Sequence, residues 1–226
     1  INKFFADVEA QAGGNTVTSE HVKAVEVKGM ANFLQNALAK ALEGGKSYDT
    51  LKAAMVGRFD EIMKPLKFHY NPDLNTREIV GDNYEDGSER NYGNNDVEGP
   101  DGGHGTHVAG IIGAVRNNGT GMNGVSNAVR LMVVRVVPDG DERDKDVANG
   151  IRYAVDNGAK VINMSFGKGW SYNKKLVDDA IRYAESKDVL LVHAAGNDAE
   201  CNDTVPNYPN TKLTDGGRPN NWIEVG

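Results

Sequence analysis

The chain has 226 residues, 39% of them hydrophobic and 25% charged, enough to bury a sizeable core in one large domain or in a domain with an appendage. A formal net charge of -7 argues against a phosphate-tracking basic surface, so nucleic acid is not an expected partner. The single cysteine, Cys201, excludes an internal disulfide and the usual metal-thiolate spacings, and no apolar run approaches the roughly 20 residues of a membrane span.

The first stretch, 1–20, does not read as a signal peptide. From Ser19 to Leu42 the pattern is helical, with Phe33, Leu34, Ala37, Leu38, Ala41 and Leu42 on one stripe. A second helical pattern runs from Ser47 to Lys64, with Leu51, Met55, Phe59, Ile62 and Met63 inward. Gly44-Gly45 ends the first, Ser47 caps the second and Pro65 stops it. The expectation is a helical hairpin over residues 1–70, an insertion or lid whose polar faces carry no metal-like cluster.

Residues 71–103 form a loop-rich bridge: Asn71-Pro72-Asp73, Gly81-Asp82-Asn83, Gly93-Asn94-Asn95-Asp96 and Gly99-Pro100-Asp101-Gly102-Gly103. Carboxylate and amide loops of this kind can bind a structural calcium. Their spacing fits no EF-hand, and turn chemistry explains the composition equally well. No metal ligand is assigned.

From His104 onward helix and strand patterns alternate. A helix from His104 to about Asn117 carries Val108, Ile111, Ile112 and Val115 on one face; an apolar strand follows at Val129 to Val137. Asp141 opens a helix with core positions Val147, Ile151, Ala154 and Val155, which ends at Asn157-Gly158. Then come a strand from Lys160 to Phe166, a helix from Asn173 to Ser186 with Leu176, Val177, Ala180, Ile181 and Ala184 inward, and a strand from Val189 to Ala195. Trp222-Ile223-Glu224-Val225 reads as a further strand. Apolar strands alternating with amphipathic helices predict an α/β fold over residues 71–226, a parallel sheet with helices on both faces. In such sheets chemistry gathers at the carboxyl ends of strands. Two of those ends carry Ser165-Phe166-Gly167 and Ala194-Ala195-Gly196-Asn197.

The most informative run is His104-Gly105-Thr106-His107-Val108-Ala109-Gly110, a histidine at the start of a small-residue helix. Gly102, Gly103, Gly110 and Gly113 remove bulk around it. Such an imidazole can take a proton from a hydroxyl, provided a carboxylate fixes its tautomer. His104 can also be a capping or core histidine, or share a metal with His107. Zinc hydrolases, however, need a third ligand and usually an adjacent Glu base that this run lacks. Asn197 reads either as a turn residue or as an amide donor fixed at a strand end, able to stabilise an oxyanion.

Taken together, three blocks resemble the subtilisin-like serine peptidase family, the subtilases. The His104 run is similar to the family's histidine motif, Ile162-Asn163-Met164-Ser165-Phe166-Gly167 to the strand lining its substrate cleft, and Ala194-Ala195-Gly196-Asn197 to its oxyanion-hole segment. Their order agrees as well, so the resemblance covers about residues 71–226. It implies that His104 is the general base and Asn197 an oxyanion donor. Ser165, Phe166 and Gly167 would pair with an extended peptide or protein substrate, and Ala194, Ala195 and Gly196 would wall the specificity pocket. By the same resemblance Gly140 and Asp141, within the acidic run Asp139 to Asp144, flank the other side of the cleft. No cofactor is implied.

The sequence also departs from the family. A subtilase uses Asp, His and Ser in that chain order, and only the His is found in its expected setting. Asp73 precedes His104 at a suitable distance but in a Pro-bounded turn, and Ser126, Ser165, Ser171 and Ser186 lie outside a nucleophile motif. The expectation is the middle of a peptidase catalytic domain, truncated so that it lacks acid and serine and is inactive alone. The resemblance implies a secreted or cell-envelope protein. The rival is a pseudopeptidase or peptide-binding scaffold without catalysis.

Overall fold

Glycines and a side-chain amide divide the first part of the chain into more helices than the apolar pattern predicts. The computed structural model describes residues 1–99 and 101–226; Pro100, within the expected turn Gly99 to Gly103, lies outside them. Helix α1 (Asn2–Ala12) was not expected from the pattern, and α2 (Ser19–Lys23) and α3 (Met30–Glu43) replace the single helix over Ser19 to Leu42. The break ends at Gly29, whose φ of 62° is costly for any residue with a Cβ. Gln35 of α3 donates its amide to the carbonyls of Val22 and Val25, at 2.8 and 2.6 Å, satisfying groups that a continuous helix would have paired internally.

Helix α4 (Tyr48–Lys64) follows, and at Pro65 it changes to a single π-helical turn, Pro65–His69. The core of this unit is Phe4, Phe5 and Val8 of α1, Val22, Val25, and Leu38 and Ala39 of α3, with Tyr48, Leu51 and Met55 packed against it. The expected two-helix hairpin is thus a small helical assembly with its own core. The stripe on α3 is also turned from the expected one: Phe33 is 74% exposed, whereas Leu38 and Ala39 are buried.

The chain separates into two compact units, Ile1–Asn75 and Thr76–Gly226. The second contains α5 (Arg77–Val80), α6 (Gly103–Gly113), α7 (Asp144–Asp156), β1 (Val161–Met164), α8 (Lys174–Ser186), β2 (Leu190–Ala194) and β3 (Trp222–Val225). The strands form a parallel sheet in the order β1-β2-β3, with Met164 opposite His193 and Ala194 opposite Val225. Strand β1 is joined to β2 through α8, the crossover that parallel strands require. This is the expected α/β architecture.

Helices α7 and α8 contribute the predicted stripes to one core: Val147, Ile151 and Val155 meet Val177, Ala180, Ile181 and Ala184, and both pack on Met164 and Leu191 of the sheet. Acidic Asp144 and Asp146 in the first turn of α7 suit the positive end of its dipole. On the opposite face of the sheet Val161, Ile223 and Val225 are exposed, so helices cover one face rather than two among the described residues.

The expected strand Val129 to Val137 joins no ladder among the described residues. Val129 and Leu131 lie against Gly113 of α6, and Val134 and Val136 lie against Gly150 of α7, so alternate side chains serve two helices. An apolar, β-branched run reports burial potential, but a strand also needs a hydrogen-bonded neighbour. Helix α6 stops at Gly113, short of the expected Asn117, and none of its apolar residues is buried; Ile111 is exposed, as is Val115 beyond the helix end.

A polar network fixes the 76–92 segment onto α7. Arg77 donates to Asp82 at 2.6 Å and forms a bidentate pair with Asp146 at 2.8 and 3.0 Å. Lys145 reaches Asp82, Glu89 and the carbonyl of Asn83 at 2.6 to 2.9 Å. The Asp82 side chain is 0% exposed and that of Lys145 2%. Elsewhere in the loops Asn71, Asn83, Asp86, Asn94, Asp96 and Asp101 each accept the backbone N–H two residues on. These Asx turns account for the Asn/Asp-rich composition.

Candidate active site

Parallel pairing sets the carboxyl ends of β1 and β2 side by side, since Met164 and His193 share a register position. The chain leaves them as Ser165-Phe166-Gly167 and Ala194-Ala195-Gly196-Asn197, so these two predicted blocks are brought together. Asn207 links them. Its Nδ2 donates to the Ala194 carbonyl at 3.0 Å, and its amide fills the space beside Gly167, where any Cβ would overlap it. Next to this link, Lys168 and Tyr208 exchange backbone hydrogen bonds of 3.1 and 2.8 Å in an isolated antiparallel bridge. Ser165 is held by Asn163, whose Nδ2 donates to its Oγ at 2.8 Å.

The second strand end is pinned as firmly. Ala195 donates its N–H to Val225 at 2.7 Å and accepts from Asn202 at 3.0 Å. Beyond it Gly196 and Asn197 are exposed, and the Asn197 side chain makes no hydrogen bond among the described residues. An amide on a fixed strand end with its donors uncommitted is chemically suited to meet an oxygen that develops negative charge.

His104 lies in the first turn of α6 and is exposed, as is His107. Neither ring has a hydrogen bond or ion pair among the described residues, and no bond joins His104 to either strand end. No group of three or more His, Cys, Asp or Glu is placed to hold a metal ion among the described residues.

The acidic run divides by environment. Gly140 and Asp141 are exposed, whereas Glu142 and Asp144 are buried. Lys168, just past β1, donates to the Glu142 carbonyl at 2.6 Å and pairs with Asp144 at 2.8 Å, tying this run to the end of β1. Burial pushes the Glu142 carboxyl above its ordinary pKa, and its Oε1 has no hydrogen-bond partner. A cavity of about 10 Å³, on the scale of one water, lies among Glu142, Asp144, Lys168, Ser171 and Tyr208.

Two residues of this region have no signal in the apolar pattern. Asn207 sits in a loop where only a folded neighbour reveals its role. His193, on β2, is buried with Nδ1 at 3.1 Å from Glu224 Oε1, its ring 5.3 Å from Trp222 and 6.4 Å from Phe166. Glu224 is its register partner on β3 and also accepts from Asn202 and Trp222, so a polar cluster lies at the carboxyl end of β2.

Comparison with known proteins gives a consistent picture. Thermitase of Thermoactinomyces vulgaris is 47% identical over 108 residues, 47% of this chain and 37% of that protein. The cell wall-associated protease of Bacillus subtilis (strain 168) is 38% identical over 156 residues, 69% of this chain and 16% of its own length. The major intracellular serine protease of the same bacterium is 38% identical over 132 residues, 58% of this chain and 40% of its own. The chain thus spans well under half the length of these relatives. Among solved structures, the S41 psychrophilic protease aligns with a TM-score of 0.44 at 34% identity, covering 54% of this chain and 38% of that one. The model of the subtilase family matches residues 21–226, which extends the likeness back from residue 71 into the helical unit. With a match over most of its length, the chain belongs to the subtilase family.

Proposed function

We propose that this chain carries the general base, the oxyanion amide and the cleft strand of a subtilisin-like serine endopeptidase. A serine hydroxyl attacks the peptide carbonyl, His104 accepts its proton, and Asn197 with a backbone N–H holds the oxyanion. The amine then leaves with the proton from His104, and water hydrolyses the acyl-enzyme by the same route. Ser165, Phe166 and Gly167 take the extended substrate backbone, Ala194 to Gly196 wall the pocket, and Gly140 and Asp141 face the substrate from the other side.

The observation that supports this reading best is the joining of two strand ends by Asn207, with the Asn197 amide uncommitted beyond them. The reading assigns the orienting carboxylate and the nucleophile to parts of the protein outside residues 1–226. The serine hydroxyls of the candidate positions are engaged elsewhere: Ser126 accepts from Ala128, Ser165 from Asn163, Ser171 donates to Asp144 and Ser186 to Tyr183. On this reading residues 1–226 alone are inactive. The protein works outside the cytoplasm, as the relatives described as cell wall-associated and extracellular suggest, although another is described as intracellular.

A second reading, a peptide-binding scaffold without catalysis, draws on the same exposed His104, which has no carboxylate partner among the described residues. Labelling by a serine-directed fluorophosphonate separates the two. The full-length protein labels stoichiometrically and residues 1–226 do not if the peptidase reading holds; an unlabelled full-length protein that still binds peptides supports the scaffold.

A further inference from the structure

The carboxylate of Glu224 faces three N–H donors. Its Oε1 lies 3.1 Å from His193 Nδ1 and 3.1 Å from Asn202 Nδ2, and its Oε2 accepts from Trp222 Nε1 at 2.7 Å. A carboxylate only accepts, so His193 presents Nδ1–H to it. The His193 side chain is fully buried, with its ring beside those of Phe166 and Trp222. Glu224 is thereby held both from β2, across the His193–Glu224 register position, and from its own strand.

What Glu224 in turn holds is Asn202. An amide nitrogen carries two protons, and Asn202 Nδ2 gives one to Glu224 and the other to the Ala195 carbonyl at 3.0 Å. That carbonyl lies just past the ladder: Ala194 is opposite Val225, and the Ala195 N–H makes the last bond to β3. Asn202 therefore fixes the Ala195–Gly196 peptide plane where the sheet no longer can. Gly196, with φ 98°, turns the chain at the next residue, and Asn197 follows. Among the described residues none from 196 to 200 makes a hydrogen bond, so the clamp on Ala195 is the nearest fixed point to the Asn197 amide.

We infer that Glu224 and Asn202 are positioning residues for the oxyanion amide: Glu224 sets the orientation of Asn202, Asn202 sets the Ala195–Gly196 peptide, and that peptide aims Asn197. His193, Asn202, Trp222 and Glu224 all lie outside the three blocks that carry the family resemblance. The inference rests on the peptidase reading and deepens it. Glu224→Gln keeps the size of the side chain but leaves one oxygen and an NH2 group in front of three donors, so at least one N–H faces another. A donor displaced by a fraction of an ångström to about 1 Å costs up to about 10²-fold in rate, and about tenfold is expected here.

The test uses the full-length protein and a fluorogenic peptide, with kcat expressed per site labelled by a fluorophosphonate so that misfolded molecules do not count. Glu224→Gln and Asn202→Ala are each made in the wild type and in Asn197→Ala. Asn202→Ala removes the clamp without touching buried His193, so it reads the same effect if Glu224→Gln folds poorly. In the wild-type background both variants are expected to lower kcat about tenfold with KM within twofold. In Asn197→Ala, where no amide is left to aim, each changes kcat less than twofold. An equal fall in both backgrounds, an unchanged kcat in Asn202→Ala, or an effect confined to KM overturns the positioning role and leaves the peptidase reading intact. A wild-type protein that neither labels nor cleaves overturns both.

Discussion

The side-chain amide of Asn207 occupies the space that a side chain at Gly167 would need, while it donates to Ala194 at 3.0 Å. One residue therefore sets both the spacing of the two strand ends and the identity of position 167. Gly167→Ala pushes the amide aside and costs about 1 to 3 kcal/mol, as overpacking at a tight site does. Asn207→Ala removes a hydrogen bond worth roughly 1 kcal/mol. The double variant is expected to be more stable than the sum of the single losses, because the clash vanishes with the amide. Urea unfolding of all four proteins measures the coupling, and strict additivity contradicts this account.

The Lys145–Asp82 pair makes the 76–92 segment a fixed part of the second unit. Burial alone would raise the Asp82 pKa, but the hydrogen bonds and charges of Arg77 and Lys145 outweigh it and hold the carboxyl below its ordinary value. An acid with a depressed folded pKa adds stability that is present above its unfolded pKa and lost as pH falls through the folded one. The contribution is thus complete at neutral pH and fades below about pH 4. Asp82→Ala leaves Lys145 buried without one of its partners and costs about 3 to 5 kcal/mol at pH 7, less at pH 3. Thermal unfolding at both pH values reads the difference.

Glu142 behaves in the opposite sense. Its pKa is raised, chiefly by burial, so its stability contribution is full below the unfolded pKa and is lost as pH rises through the folded value. Its Oε1 has no partner to offset the charge. Glu142→Gln is expected to raise Tm at pH 8 and to change it little at pH 4. An equal effect at both values would mean that packing rather than ionisation decides this position.

Strand and helix stripes were legible where burial was one-sided and continuous. The stripes Val147, Ile151, Val155 and Val177, Ile181, Ala184 read directly as the buried faces of α7 and α8, and the apolar runs ending at Met164 and Ala194 as paired strands. The break between α2 and α3 was not legible, because it depends on Gln35, a polar residue that reaches back to two freed carbonyls. The run Val129 to Val137 was misleading for a related reason: its composition satisfies two helices, and pairing is a property of neighbours. At the site, the two strand ends are legible from the alternation of strands and helices and take their roles from a family resemblance, whereas Asn207, which joins them, lies in a loop without periodicity.

Asn197 and His104 make different contributions in the proposed reaction, and kinetics of the full-length protein separate them. Asn197 meets charge that exists only in the transition state, so Asn197→Ala is expected to lower kcat by about 10²- to 10³-fold with KM nearly unchanged, the scale found for such a donor in subtilisin itself. His104 moves the proton in both half-reactions, and His104→Ala is expected to lower kcat by about 10⁴-fold or more. Near-normal kcat in His104→Ala would falsify its assignment as base. Asn197→Asp is the finer test: it keeps the size of the side chain but removes its N–H donor and adds charge. It must be at least as damaging as Asn197→Ala if donation to an oxyanion, rather than turn geometry, is what the residue supplies.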